Sequence, residues 1–140
     1  MIFVDSNVPM YLIGGSHPNK ELAIRAVEAV VKRRERMVAS AEVLQEILHR
    51  YRASGRSELI QPCLRTLLGM VDEVFSVEQE DVLRARDVLM ATPQISARDS
   101  LHVAVMERRG VSRILSFDRG FDRVQTLERV PSDALGSGSL

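Results

Sequence analysis

The chain has 140 residues, 45% of them hydrophobic, which suits one domain with a packed core. Its 19 acidic and 19 basic side chains give a formal net charge of zero, so no global positive field marks a polyanion binder and any such contact must be local. A lone Cys63 excludes an internal disulfide framework, and three scattered histidines without a Cys-x-x-Cys pair exclude an ordinary structural zinc site.

Met1 to Val4 is a short apolar run rich in branched and aromatic residues, the pattern of a buried strand, and it ends in Asp5. Ser6 to Ile13 starts a short helix with Pro9 tolerated in its first turn, before Gly14-Gly15-Ser16-His17-Pro18 breaks the pattern. From Glu21 to Arg34 the apolar residues Leu22, Ala23, Ala26, Val27, Val30 and Val31 repeat at helical spacing. Met37-Val38-Ala39 reads as a strand. Ser40 is a good N-cap for a helix bearing Val43, Leu44, Ile47, Leu48 and Tyr51 on one face. Further helices are expected over Ser57 to Val71, Glu78 to Met90 and Ser96 to Arg109, the last stopped by Gly110. Strands are expected over Glu73 to Val77, Ser112 to Phe117 and, short, within Val124 to Val130. Gly136-Ser137-Gly138-Ser139 reads as part of a flexible tail over 131–140 after a single domain over 1–130.

Strands separated by helices imply an α/β fold, a parallel sheet of four to five strands flanked by helices, whose ligand crevice lies at the carboxyl ends of the strands. No basic flank precedes the N-terminal apolar residues, and no apolar run approaches the roughly 18 residues of a membrane span. A cytoplasmic protein is the expectation.

Four acids stand out: Asp5, Glu46, Asp99 and Asp118. Asp5 follows Ile2-Phe3-Val4 and so emerges at the top of a strand, where a lone charge is costly unless it meets a cation or several donors. Its competing role is a helix cap, which Ser6 would serve as well. Glu42 and Glu46 share a helix, but at about 100° per residue Glu42 lies opposite the apolar stripe while Glu46 lies near its edge, able to reach inward. Ser96-x-x-Asp99 matches a capping box, yet the first turn of a helix also holds a carboxylate ionised and aimed. Asp118, in Ser116-Phe117-Asp118-Arg119-Gly120, is either a turn residue or a crevice acid, and Asp122 stands beside it as a second candidate.

The order of these segments, Asp5-Ser6-Asn7, then Ser40 to Glu46, then Ala97-Arg98-Asp99, then Leu115-Ser116-Phe117-Asp118, resembles the PIN-domain ribonucleases and most closely the VapC-type toxins of toxin-antitoxin pairs. The similarity covers residues 1 to 130. It implies a metal-dependent endoribonuclease that cuts RNA phosphodiester bonds and inhibits translation, with Asp5, Glu46, Asp99 and Asp118 as its acids. Asp5, Asp99 and Asp118 would hold Mg2+ or Mn2+, with Glu46 and Asp122 as additional candidates and Asn7 and Ser116 in support. The residue types agree, because magnesium takes oxygen ligands from a few carboxylates and leaves room for substrate phosphate.

The resemblance also implies a cognate VapB-type antitoxin and a homodimer. For the latter, Leu64, Leu67, Leu68 and Met70 supply apolar positions that either a partner or the core would use. The run Lys32-Arg33-Arg34-Glu35-Arg36 reads as a solvated helix end. Two competing readings are an aspartate-nucleophile phosphatase, suggested by Asp5-x-Asn7 but lacking the second aspartate at position 7, and a noncatalytic PIN-fold binding module.

Overall fold

A computed structural model describes residues 1–131. Five parallel strands form one sheet in the order β3-β2-β1-β4-β5: β1 Ile2–Val4, β2 Met37–Ser40, β3 Glu73–Phe75, β4 Arg113–Leu115 and β5 Glu128–Val130. Six α-helices connect and cover them: α1 Asn7–Ile13, α2 Pro18–Lys32, α3 Ala41–Ala53, α4 Ile60–Met70, α5 Gln79–Ala91 and α6 Ala97–Arg109. This is the α/β architecture the alternation implied. The tail expected beyond residue 131 lies outside the described residues.

The central strand β1 is buried throughout, as its uninterrupted apolar run requires of a parallel strand covered on both faces. Its side chains join Val38, Ile47, Leu67, Val103, Ile114, Leu115 and Phe117 in the core. Helix α1 packs on α2 and α4, while α5 and α6 form an antiparallel-type hairpin with the most extensive helix contact. Among the apolar positions weighed for a partner, Leu67 is fully buried and Leu68 is half exposed.

Several boundaries moved for identifiable reasons. Helix α2 begins at Pro18, where a proline costs nothing because the first helical N–H lacks an intrahelical acceptor, and His17 Nδ1 caps it by accepting from Asn19 N–H at 3.0 Å. The expected helix over Ser57 to Val71 divides into a 3₁₀ turn, Ser57–Leu59, and α4. Pro62 tolerates only first-turn positions, which fixes the start of α4 just ahead of it. Ser40 occupies the N-cap of α3, but its hydroxyl makes no cap bond and is buried with no hydrogen-bond partner among the described residues. Gly110 ends α6 in the left-handed region at φ 70°, a conformation glycine adopts without steric cost, and its N–H returns to Met106 and Glu107 carbonyls.

The strand order reverses at β1: the chain steps outward through β2 to β3, then crosses back to place β4 on the other side of β1. Connections leave β1 and β4 in opposite directions, which opens a crevice beyond their carboxyl ends. Asp5 follows one of these strands, and Ser116 to Asp118 follow the other.

Candidate active site

Asp5 stands at the switch point, only 4% exposed. Backbone pairing continues one residue beyond β1, since Asp5 N–H donates to Leu115 O at 3.0 Å and so fixes the aspartate beside the end of β4. Its Oδ1 accepts from Ser6 N–H at 2.7 Å, and its Oδ2 accepts from the Ser116 hydroxyl at 2.6 Å and from Asn7 Nδ2 at 3.5 Å. Asn7 completes a lattice across the crevice, donating to Ser116 Oγ at 3.3 Å and accepting Phe117 N–H at 3.3 Å. Asn7 and Ser116 thus brace Asp5 between two strand ends.

Glu46 is 5% exposed on α3, whereas Glu42 is half-buried. The helix geometry accounts for the difference, because the edge of the apolar stripe faces the sheet top. Glu46 Oε1 accepts from the Ser6 hydroxyl at 2.6 Å and lies 3.4 Å from His102 Nε2, and Oε2 accepts from Arg98 Nη1 at 3.4 Å. Ser6 therefore does not cap α1 with its side chain; it ties the first helix to the third.

Asp99 enters from the first turn of α6. The Ser96 hydroxyl caps this helix by accepting Asp99 N–H at 3.0 Å, so the Asp99 backbone serves the cap while its carboxyl meets Asp5 and Asp118. Asp118 is exposed, and its backbone N–H donates to Ser116 Oγ at 3.0 Å. Its Oδ1 also accepts Gly120 N–H at 2.8 Å, so the turn role and the crevice position coincide in one residue.

Asp122 has a different partner. The buried guanidinium of Arg129 holds it through Nε at 2.8 Å and Nη2 at 3.1 Å, a bidentate pair that answers its charge. The structure brings together Asp5, Glu46, Asp99 and Asp118, and leaves Asp122 outside their contacts.

His102 joins these acids, a residue that the sequence counts only among three scattered histidines. It is wholly buried beneath the acids, 3.9 Å from Asp5 Oδ1 as well as 3.4 Å from Glu46. Its position three residues after Asp99 puts both on one face of α6, a spacing that would have pointed to it. The ring packs near Phe3 at 5.5 Å between centroids, which seats the imidazole against the core.

The electrostatics divide the acids into two kinds. Burial pushes Asp5 up, and the Glu46 charge adds to it, against the opposing pull of His102, Ser116 and Ser6 N–H. Burial likewise raises Asp99, with Asp5 and Asp118 adding to it, to about 8. For Glu46, burial acts upward but is outweighed by the hydrogen bond and charge of His102, the Ser6 hydroxyl and Arg98, which hold it at about 2. His102 is raised in turn, since its carboxylate neighbours overcome the cost of burying its charge. Like charges gathered in a poorly solvated crevice resist ionisation until a cation compensates them.

The donor set fits a divalent cation. Asp5, Glu46 and His102 offer ligand atoms within 4.8 Å of one another, and the Asp99 carboxyl, which meets both Asp5 and Asp118, brings further oxygens beside them. Oxygen-rich sites of this kind suit hard cations.

A family model described as the PIN domain matches residues 2–127. The chain is 52% identical over 130 residues to VapC ribonuclease Mb1869c of Mycobacterium bovis and to ribonuclease VapC13 of Mycobacterium tuberculosis, covering 93% of this chain and 99% of each relative. Ribonuclease VapC23 of Mycobacterium tuberculosis is 42% identical over 118 residues, 84% of this chain and 93% of its own. Among solved structures, Mycobacterium tuberculosis VapC20, a sarcin-ricin loop cleaving toxin, superposes with a TM-score of 0.72 at 20% identity, covering 87% of this chain and 93% of that one. VapBC2 from Rickettsia felis, bound to a promoter DNA fragment, gives 0.69 at 17% identity, covering 92% and 97%.

Proposed function

The chain belongs to the PIN-domain family, and we propose that it is a VapC-type endoribonuclease, the toxin of a toxin-antitoxin pair, hydrolysing RNA phosphodiester bonds with a divalent metal. The observation that carries this reading is the meeting, at one switch-point crevice, of four carboxylates drawn from positions 5 to 118, on a chain closely similar to named ribonucleases. Asp5 and Asp99 are the principal ligands for magnesium or manganese, with Asp118 adjacent at the exposed rim. When bound, the ion would activate water near neutral pH and offset charge developing on the phosphate.

The rest of the work falls to the chain itself. Ser116 and Asn7 lock the Asp5 carboxylate in one orientation, so no rotamer freedom is lost when the crevice fills. Asp99 sits in the first turn of α6, where the positive dipole end works against the burial and neighbouring carboxylates that raise it, and a bound ion would complete that compensation. Glu46, held by Ser6, His102 and Arg98, stays ionised and fixed in place, suited to orienting water or charged groups beside the reacting centre.

The partners follow from the same membership: RNA as substrate, and a VapB-type antitoxin whose C-terminal segment lies across the acids with a basic side chain among them. A homodimer is part of this reading, supported by exposed apolar residues Val82, Leu89 and Met90 on α5. Among the described residues no helix is long and apolar enough to cross a membrane. The phosphatase reading finds no support in the family match, and the four retained acids favour turnover over a noncatalytic module.

The direct test is hydrolysis of RNA by the purified chain with and without magnesium, beside Asp5→Ala. Metal-dependent cleavage that Asp5→Ala abolishes is expected; an unchanged rate in the variant overturns the assignment. Sequencing of RNA 5′ ends after brief induction in cells, with the same variant as control, then identifies the target.

A further inference from the structure

Two nitrogen-bearing side chains converge on Glu46, His102 and Arg98, and they differ in access. His102 is sealed in the core, whereas the Arg98 side chain is 39% exposed. Arg98 directly precedes Asp99 in the first turn of α6, so its guanidinium leaves the helix at the rim of the crevice that Asp99 enters. The bond to Glu46 uses Nη1 at 3.4 Å, a long contact for a charged pair. A guanidinium carries five N–H donors in a planar fork, and such a fork matches a phosphate.

Charge gives this position a use. A polyanionic strand approaching a cluster of carboxylates meets repulsion that an ion bound among them offsets at one phosphate alone. The phosphates on either side need cations from the protein. Arg98 also lines a cleft of about 510 Å³ with Arg86, Glu42 and the apolar side chains of Val82, Leu89 and Leu101. The Arg98 end of that cleft lies beside Glu46, and so next to the crevice.

We propose that Arg98 is a substrate-binding residue that grips a phosphate flanking the scissile one, with Glu46 as the carboxylate that holds its guanidinium at the crevice mouth. This rests on the ribonuclease reading above. Glu46 thereby acts on the substrate through Arg98.

The test measures binding of a labelled, mixed-sequence single-stranded RNA by fluorescence anisotropy across a salt series with magnesium present, in the full chain carrying Asp5→Asn to suppress cleavage. Cleavage persisting in Asp5→Asn itself would sink the ribonuclease site and leave Arg98 aside. With cleavage suppressed, adding Arg98→Gln is expected to weaken binding about tenfold at low salt and to reduce the slope of log K against log salt by about 0.7, the value of one single-strand phosphate contact. Arg25→Gln, on α2 and paired with Glu21, removes the same charge away from the crevice and should leave the slope unchanged. Arg98→Lys should restore the slope while recovering only part of the affinity, because an ammonium cannot pair in a fork. An unaltered slope in Arg98→Gln with a lowered melting temperature would reduce Arg98 to a structural partner of Glu46. Should Arg98→Gln fail to fold, Arg98→Lys decides: unchanged affinity overturns the proposal, and weakened affinity at a retained slope upholds it.

Discussion

Asp5 and Asp81 are both buried aspartates, 4% and 1% exposed, yet they occupy opposite electrostatic worlds. Asp81, in the first turn of α5, accepts Arg108 Nε at 2.6 Å, Arg108 Nη2 at 2.9 Å and Glu78 N–H at 2.8 Å, closing a capping box and a bidentate ion pair that pins α5 to the end of α6. Arg108 holds its carboxyl below the usual range. Asp5 accepts from Ser6 N–H and the Ser116 hydroxyl with His102 Nε2 3.9 Å away, but burial and the Glu46 charge outweigh that pull and it is raised. Burial by itself says little about function. What separates Asp81 from Asp5 is that Arg108 outweighs the cost of burying the first, whereas the groups around the second do not.

The largest expected effect breaks the comparison at its functional end. Asp5→Asn should lower metal-dependent RNA cleavage by about 10²-fold or more, since several kcal/mol of transition-state stabilisation depend on the ion it holds. The same change should leave the ion-free melting temperature equal or higher, because it removes a charge that its neighbours oppose. A scan showing strong destabilisation would put Asp5 in the same class as Asp81.

Adding manganese is the next test. An ion at a hundred times its Kd stabilises the folded state by about 2.7 kcal/mol, so the melting temperature should rise by several degrees in the parent and stay flat in Asp99→Asn. Equal shifts in both would place the ion elsewhere. At the structural end, Asp81→Asn should cost about 2 kcal/mol in denaturant unfolding, as Arg108 loses its charged partner, and leave cleavage within about twofold of the parent.

A smaller effect appears with pH. Because the folded-state value of Asp81 is depressed, its contribution is present above the ordinary carboxylate range and is lost as pH falls through the folded value. Urea midpoints recorded between neutrality and pH 3 should therefore fall less steeply for Asp81→Asn than for the parent. Parallel curves would deny the Arg108 pair its part in acid stability.

Much of the fold was legible because it rests on local patterning. The apolar run of β1, the helical stripe through Val43, Ile47 and Tyr51, and the glycine stop at Gly110 each follow from short-range rules. Boundaries failed where proline acts through position: Pro18 opens α2, and Pro62 holds back the start of α4. The four acids were legible as candidates by their place at strand ends and helix starts, and by their order along the chain.

Their division of labour was not. Strand and helix periods, and the positions that follow them, are properties of neighbouring residues, so an α/β chain that delivers carboxylates to one edge of a parallel sheet can be read from local patterning. That Ser6 reaches 40 positions along the chain to Glu46, that His102 lies against the acids, and that Asp122 is claimed by Arg129 emerges once the elements pack. Those outcomes depend on which elements flank the reversal of strand order between β1 and β4. Charges interact through space, where distance and burial set their strength, and no spacing along the chain encodes either.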